Sequence, residues 1–219
     1  MKNFIKIAII ITVLQSSTYA MASVIALGPK IGTQGLGLKA RTNFTGNLFG
    51  RVGINYLKFS APNNNCKIID KLNVTLFTVP VMLDWHPINE SGFRISAGVA
   101  YNGNKVVGRK TATIPTTFNG ITYSAAQIGT VSTKITMGNK ISALLTLGYD
   151  SSLLNNSPWS INCEAGVMFG KLKLDVKHTG TGNDQVKADI KRNVSDITKD
   201  IRKKYPIYPI ISVGFKYSF

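Results

Sequence analysis

The stretch that decides the fold lies at the C-terminal end and reads Ile207-Tyr208-Pro209-Ile210-Ile211-Ser212-Val213-Gly214-Phe215-Lys216-Tyr217-Ser218-Phe219. Counting back by twos from Phe219, every residue as far as Ile211 is apolar or aromatic, and the residues between them are small or polar. Because successive side chains of a strand point to opposite faces, this pattern predicts a strand with one apolar and one polar face. The edge strand of a soluble sandwich is the alternative interpretation of this stretch alone.

The first 22 residues have the organisation of a secretory signal peptide. Lys2 and Lys6 form a basic region, residues 7–14 are largely apolar, and Ala20 and Ala22 flank Met21 in a small-x-small cleavage pattern. The apolar run is too short to cross a bilayer, which takes about 20 residues in a helix. We therefore expect cleavage after Ala22, or alternatively after Ala20, and export of the remaining chain.

The exported part, residues 23–219, is predicted to be one domain in which most segments alternate between apolar and polar residues. The alternating segments are 31–41, 48–59, 72–85, 93–102, 125–137, 141–149, 159–169, 172–177 and 207–219. A barrel in a bilayer needs this alternation in every strand and aromatic residues at both interfaces, and the segments 93–101 and 159–169 have an aromatic residue at each end. The sequence therefore predicts an all-β fold, a closed antiparallel transmembrane β-barrel.

The number of strands remains open between eight and ten. Nine segments alternate, but single-chain bacterial barrels have an even number of strands. Either residues 23–29 form an additional first strand, or one of the nine segments is misassigned. Within residues 72–85 the apolar positions change from one parity to the other, which predicts a β-bulge near Pro80 because proline donates no hydrogen bond to a ladder.

Short and long connections alternate along the chain. Short turns are predicted at residues 42–47, 86–91, 138–139 and 170–171, and all four would lie on the periplasmic side with the C-terminus. The longer polar stretches, including residues 150–158, would then lie outside. Within residues 103–123, which otherwise have the composition of a surface loop, Asn119-Gly120 suits the tip of a hairpin.

One segment before the last strand has a helical period. In residues 183–204 the apolar residues recur every three or four positions, at Val186, Ile190, Val194, Ile197 and Ile201. The other face is mostly basic. We expect an amphipathic helix over about 184–204, and three roles stay open for it: covering the barrel mouth, lying in the membrane interface, or contacting a partner.

The composition is strongly basic and offers no catalytic or metal-binding cluster. The formal net charge is +16, or about +14 once Lys2 and Lys6 are removed. For an exported protein this charge favours anionic partners such as lipopolysaccharide, anionic lipid or host glycans, not nucleic acid; alternatively it reflects genome composition alone. The two histidines, His86 and His178, have no cysteine or carboxylate at ligand spacing, so we predict no metal, no cofactor and no enzymatic activity.

A group of charged residues has the parity that would point into the barrel. It comprises Lys39, Arg41, Arg51, Arg94, Glu164 and Lys216. An unpaired charge in a narrow interior is costly, so Glu164 is predicted to pair with Arg94 or Arg51. The interior of an eight-stranded barrel is just filled by side chains, which predicts a solid polar core, whereas a wider barrel would leave a selective pore lined by positive charge.

Several of these features together resemble the small bacterial outer-membrane β-barrel proteins, the OmpW-like, opacity-protein-like and OmpA-membrane-domain-like group. They are the Ala20-Met21-Ala22 site, the aromatic-bracketed segments 93–101 and 159–169, the strand–turn–strand stretch 83–94 and the Tyr217-Ser218-Phe219 end. The resemblance implies an outer-membrane location, among membrane lipid and lipopolysaccharide. It also implies that Phe219, Tyr217 and Phe215 form the signal that the barrel assembly machinery recognises.

Function is less closely specified, because proteins of this group include adhesins, channels, structural anchors and lipid-modifying enzymes. We expect a non-enzymatic protein with a structural or surface-interaction role, in which the outer loops and the helix contact a host or envelope partner. The alternative is a small channel for anionic or amphipathic solutes.

Overall fold

The computed structural model describes residues 26–62, 70–88, 91–118, 120–137, 139–153, 158–181, 185–186, 188–189, 192 and 207–219. The predicted signal peptide and its cleavage residues Ala20 and Ala22 lie outside these ranges. The strands are β1 (Ala26–Gly32), β2 (Gly35–Thr45), β3 (Leu48–Pro62), β4 (Lys71–Trp85), β5 (Phe93–Asn102), β6 (Lys105–Thr111), β7 (Thr116–Phe118), β8 (Ile121–Tyr123), β9 (Thr130–Met137), β10 (Ile141–Asp150), β11 (Trp159–Phe169), β12 (Leu172–His178) and β13 (Ile207–Ser218). The short helices are α1 (Ala125–Ile128) and a 3-10 turn at Ser151–Leu153.

Eight of these strands form a closed antiparallel barrel. The order around the ring is β1-β2-β3-β4-β5-β10-β11-β13, and β13 pairs with β1 to close it. Each strand of a closed ring has a hydrogen-bonded neighbour on both sides, so the ring itself has no free edge. The predicted all-β closed antiparallel barrel is confirmed, and the number of strands is eight.

Three further strands continue beyond the ring and explain the excess of predicted strands. β5 and β6 both pair with β4 in one register, in which Asn102 lies opposite Thr78 and Lys105 lies opposite Thr75. β9 pairs with β6 and with β12, while β10 pairs with β5 and with β11. The chain therefore continues in one direction from β9 to β10, and likewise from β11 to β12.

The turns predicted at residues 138–139 and 170–171 are accordingly wrong. Residue 138 lies outside the described residues, but the strands on either side of it run the same way. The first predicted strand, residues 31–41, is instead two strands joined by a tight turn at Thr33-Gln34. Compared with the nine predicted segments, the ring includes one more strand, β1, at the position proposed for an additional first strand. It excludes two, β9 and β12, which lie in the sheet beyond the ring.

The part of the sheet beyond the ring is here called the extension sheet. It consists of residues 57–62 of β3 and 71–76 of β4, followed by β6, β9 and β12. β7 and β8 form a hairpin around Gly120, which confirms the predicted hairpin, although Asn119 lies outside the described residues. The surface loop predicted over residues 103–123 is wrong in its first part, because β6 pairs there with β4 and β9. The helix α1 follows, with Ser124 and Gln127 forming a capping box at its start.

Only five residues of the predicted helix over about 184–204 are described, and all five are helical: Gln185, Val186, Ala188, Asp189 and Arg192. Val186 is buried with Tyr123 and Ile128 against Val131 and Val176 of the extension sheet. This segment is therefore attached to the inward-facing side of the extension sheet. No helix among the described residues has the length and apolarity needed to cross a membrane.

The apolar face of β4 changes sides where the strand leaves the ring. Val81 and Leu83 point outward and are exposed, whereas Val74 of the extension sheet has the opposite parity and is buried. The register of β4 with β3 and β5 is constant throughout, so the bulge predicted near Pro80 is wrong. The parity changes because the outward face is the apolar one in the ring and the inward face is the apolar one in the extension sheet.

The two ends of the barrel differ. At one end, here called the terminal end, the first described residue, Ala26, pairs with Ser218, and the connections from β2 to β3 and from β4 to β5 are at the same end. The connection that follows Asp150 also lies there, because Asp150 is opposite Asn162 near the start of β11. Its predicted place among the long loops is therefore wrong. The extension sheet is at the other end, here called the extension end.

Around the ring the outward side chains form an apolar belt bounded by aromatic residues. The terminal-end aromatic residues are Trp85, Tyr149, Trp159 and Tyr217, and those toward the extension end are Tyr56, Tyr101 and Phe169. Along β5 the belt spans eight residue steps of about 3.3 Å, or roughly 20 Å along the barrel axis for a strand tilted by about 40°. That height is close to the apolar band of a transmembrane barrel, about 25 Å.

Candidate functional site

The interior of the barrel near the terminal end holds a set of buried charged side chains. All six residues predicted to face the interior, Lys39, Arg41, Arg51, Arg94, Glu164 and Lys216, are buried there. Three more join them that sequence reasoning did not assign to the interior: Lys30, Asp84 and Asp150. These nine residues are here called the lumen cluster. It contains six cations and three carboxylates.

The first connection of the lumen cluster runs across the full width of the barrel. Arg51 on β3 donates from Nη1 to Oε2 of Glu164 on β11, at 2.7 Å. These strands are four places apart around the ring of eight in either direction, so they lie on opposite walls. Glu164 also accepts from Arg94 Nη2 at 3.2 Å and from Lys30 Nζ at 3.4 Å. Both partners that the sequence indicated for Glu164 are therefore in contact with it.

A second connection crosses the first. Arg41 on β2 donates from Nη1 to Asp150 Oδ2 on β10 at 2.8 Å, again between opposite strands of the ring. The same carboxylate oxygen accepts from Lys216 Nζ at 2.6 Å. The guanidinium of Arg41 also lies over the ring of Phe49, 3.8 Å from its centroid, and contacts Nε2 of His86.

Asp84 links the two connections. Its Oδ2 lies 3.0 Å from Nε of Arg51, 3.5 Å from Nη1 of Arg94 and 3.8 Å from Nε of Arg41. Each carboxylate of the lumen cluster thus contacts at least two cations, which offsets the cost of removing the charges from water. The excess of three cations is partly accommodated by neutral acceptors; for example, Lys39 Nζ donates to Oδ1 of Asn162.

An apolar layer lies on the extension-end side of the lumen cluster. Met82, Ala100, Leu144, Met168 and Ile210 point inward from five strands, and each is at most 4% exposed. Met137 and Tyr208 pack against them. The two layers are in contact, because Arg51 Nη2 lies 3.3 Å from Met82 Sδ. The interior of the ring is therefore occupied by ion pairs at one level and by packed apolar side chains at the next.

Beside the apolar layer, the tight turn between β1 and β2 inserts a side chain into the barrel. Gln34 is buried, and its Oε1 accepts from Lys30 Nζ at 3.5 Å and from Asn55 Nδ2 at 3.4 Å. Asn55 Nδ2 also donates to Thr78 Oγ1 at 2.8 Å. This polar group is buried next to β1–β4, beside the apolar layer.

Among the described residues no three His, Cys, Asp or Glu side chains are arranged to hold a metal ion. His86 is held by Arg41 at the terminal end, and His178 lies on β12 of the extension sheet, away from the lumen cluster. The arrangement is suited to holding the walls of the barrel together.

The remaining predicted site residues lie on the exterior. Phe215 and Phe219 are exposed, and the ring of Tyr217 packs between those of Trp159 and Phe219 with centroids 4.9 Å apart in both cases. Their role as an assembly signal stays a prediction. Asp84 and Asp150 were missed as interior residues because each stands at the end of a strand beside a turn, although their parity already matched the inward face.

Comparison with known proteins identifies the fold. No family model and no curated protein matches the chain. Among solved structures it is similar to the crystal structure of Acinetobacter baumannii CarO2, with 17% identity and a TM-score of 0.59. It is similar to Acinetobacter baumannii CarO with 19% identity and a TM-score of 0.58. Each match covers 90% of this chain and 98% of the other. At this identity the likeness concerns the fold alone.

Proposed function

We propose that the protein is an outer-membrane β-barrel whose interior is filled, and that it acts without catalysis by anchoring the extension sheet and its attached helix at the membrane surface. The single observation that carries this proposal is the double closure of the interior by the lumen cluster and the apolar layer. An open pore would instead need a path past Met82 and Met168, which are packed in the apolar layer, or past Gln34 and Asn55, which are buried beside it.

The apolar belt supports the location in a membrane. Ile31, Leu38 and Ile211 are each at least 60% exposed on the outside of the ring, and Trp85 and Trp159 lie at its terminal end. Exposed apolar patches on soluble monomers rarely exceed a few hundred Å², whereas this belt encircles the barrel. Closed barrels are the only β-structures whose backbone groups are all satisfied within hydrocarbon. Export by the predicted signal peptide belongs to the same proposal.

The extension sheet supports a role at the surface. It shares β3 and β4 with the ring, and β6 follows β5 in the same register with β4, so it is attached to one end of the barrel. Part of its inward face packs against Ile128 of α1 and against Val186, while its outward face is left for contacts. A host or envelope partner would be contacted here, and not through the barrel interior.

Two measurements test this proposal together. The first is the electrophoretic mobility of the outer-membrane fraction with and without boiling, which should shift because a folded barrel resists detergent. The second is conductance in planar lipid bilayers, which should stay at the baseline at high protein load. A soluble periplasmic protein without a mobility shift would overturn the membrane location, and steady conductance would overturn the filled interior.

A channel for small anions is the second candidate, and the cation excess of the lumen cluster is the observation that favours it. Six cations face three carboxylates in the interior, so a path through it would attract anions. If conductance appears, anion preference that falls in Arg94→Ala would support this candidate. Conductance without ion preference would count against it.

A further inference from the structure

The outward face of the extension sheet carries a second group of basic residues, separate from the lumen cluster. Seven basic residues share this face: Lys58, Lys71, Lys105, Arg109, Lys134, Lys173 and Lys177. We infer that this basic face binds the phosphorylated headgroups of the lipids that surround the barrel. The inference rests on the proposed membrane location and assigns a lipid class to the surface just above the apolar belt.

The strand registers place these side chains in rows across the sheet. In one row Lys71 lies opposite Arg109, Arg109 opposite Ser132, and Ser132 opposite Lys177. A second row runs from Lys58 through Thr75, Lys105 and Thr136 to Lys173. Lys134 stands between the two rows, opposite Val107 and Asp175. With strands about 4.8 Å apart and same-face neighbours roughly 7 Å apart along a strand, the cations cover an area about 20 Å wide.

The basic face is exposed and nearly free of compensating charge. All seven cations are exposed, and none of them forms an ion pair with another described residue. The one carboxylate on this face among the described residues is Asp175. Serine and threonine hydroxyl groups lie between the cations, at Thr75, Ser132 and Thr136. Ammonium, guanidinium and hydroxyl groups are the donors that commonly bind phosphate.

The position of this face is what points to a lipid. On β3, Tyr56 of the apolar belt and Lys58 of the basic face have the same parity and are two residues apart, about 7 Å. On β4, Phe77 packs edge-on against Tyr101, with ring centroids 6.1 Å apart, and Thr75 and Lys71 continue outward beyond it. The basic face thus continues the surface that contacts the acyl chains. Lipids whose chains lie against the belt place their headgroups at this height.

The other face of the same sheet shows that the charge is directed outward. Val74, Val106, Val131, Leu174 and Val176 have the opposite parity, and part of this face packs against Tyr123, Ile128 and Val186. The sheet therefore separates an apolar side, part of which packs against the protein, from a basic side that faces the membrane surface. Exposed cations near an anionic lipid surface each strengthen membrane binding about fivefold.

The test measures lipid binding by the folded full-length protein. Detergent-solubilised protein is titrated with diphosphoryl lipid A, and bound lipid is counted by native mass spectrometry. The triple variant Lys105→Gln/Arg109→Gln/Lys134→Gln should bind at least about tenfold more weakly than the wild type, because three central charges are removed. Removing the opposing carboxylate with Asp175→Asn should strengthen binding a few-fold.

Controls separate this inference from loss of the fold and from the proposed function. Lys110→Gln removes a charge from the same strand, β6, but from the other face, where Lys110 pairs with Asp70 at 3.5 Å; its lipid binding should stay within about twofold of the wild type. The variants must retain the heat-dependent mobility shift. A wild type that fails to insert into vesicles would overturn the proposed function. An inserted wild type that binds dephosphorylated lipid A equally well, or whose triple variant binds unchanged, would overturn only the inference.

A soluble polyanion is the other source of phosphate groups. Polyphosphate is therefore titrated in parallel with lipid A. Binding of polyphosphate as tight as that of lipid A, and equally sensitive to the triple variant, would overturn the lipid assignment in favour of a soluble anionic partner.

Discussion

Arg51 and Glu164 join opposite walls of the barrel by a 2.7 Å ion pair that passes through its centre. Both side chains are only 4% exposed, so water contributes little to their solvation. The Arg41–Asp150 pair, at 2.8 Å, joins another two opposite strands. The two pairs therefore cross the barrel in two different directions, and Asp84 contacts the arginine of each pair. We therefore expect the lumen cluster to act as a structural support that depends on three carboxylates.

Replacement of Glu164 tests this support. Glu164→Ala leaves Arg51, Arg94 and Lys30 without their shared carboxylate, and breaking such a buried pair typically costs about 3–5 kcal/mol. We expect a loss of that size in the free energy of unfolding, measured by urea titration in lipid vesicles with tryptophan fluorescence. Asp175→Ala, on the exposed side of β12, is the control and should change it by less than about 0.5 kcal/mol. Equal effects of the two changes would contradict the support role.

Two neighbouring leucines test the apolar layer. Leu144 points inward and is 4% exposed, whereas Leu145 points outward from the same strand and is 47% exposed. Leu144→Ala should leave a cavity and lower the free energy of unfolding by about 2–5 kcal/mol. Leu145→Ala should cost clearly less, because lipid chains can occupy the vacated space. The same urea titration measures both, and a larger loss for Leu145→Ala would show that the interior is not packed.

His86 gives the barrel a predicted pH dependence at its terminal end. Burial, followed by the cations of Arg41 and Arg94, lowers the pKa of His86 to about 4, and the carboxylates of Asp150 and Asp84 oppose this only in part. The folded state therefore favours the neutral imidazole. Its contribution to stability is fully present above the unfolded pKa of about 6.5 and is lost as the pH falls toward 4.

The measurement for His86 is the urea midpoint between pH 7.5 and pH 4. The wild type should lose stability over this range, and His86→Phe, which keeps a ring next to Phe49, should lose less of it. His178→Phe is the matched control on the extension sheet and should follow the wild type. A wild-type midpoint that stays constant from pH 7 to pH 4 would show that the folded state does not disfavour the protonated ring.

The helical segment around Val186 is attached through Tyr123. The Tyr123 hydroxyl donates to Asp189 Oδ2 at 2.6 Å, and this bond to the carboxylate raises the pKa of Tyr123. The contribution is therefore present below the unfolded pKa of about 10 and is lost as the pH rises through the folded value. Tyr123→Phe should speed limited proteolysis after residue 181 several-fold at pH 8 while the mobility shift of the barrel stays unchanged. Unchanged proteolysis would mean that apolar packing alone holds the segment.

The sequence predicted the ring well because its signal is local and repeated. Alternation identified β3, β5, β10, β11 and β13 to within a few residues, and the same parity identified Glu164 and its arginine partners as interior residues. The alternation did not distinguish a turn from a continuing strand at Gly170, because a glycine followed by a lysine is compatible with either structure. Which of the two occurs depends on the pairing of β12 with β9, which is a non-local contact.

The bulge predicted in β4 is wrong for a related reason. A bulge and a change of environment produce the same sequence pattern, because both move apolar residues from one parity to the other. The register shows that the backbone is regular at Pro80 and that the surroundings change instead. Local sequence reports which face of a strand is apolar, whereas only the assembled sheet shows whether lipid or protein covers that face.

The pairing of β1 with β13 makes closure of the barrel depend on its last strand. Leu27 and Tyr217 are neighbours in the sheet although nearly the whole chain separates them. The ring therefore cannot close without β13, which pairs with both β1 and β11. A ribbon that lacks β13 presents β1 and β11 as bare edges, and bare edges recruit other chains. Without β13 the remaining strands should therefore form an oligomerising ribbon instead of a smaller barrel.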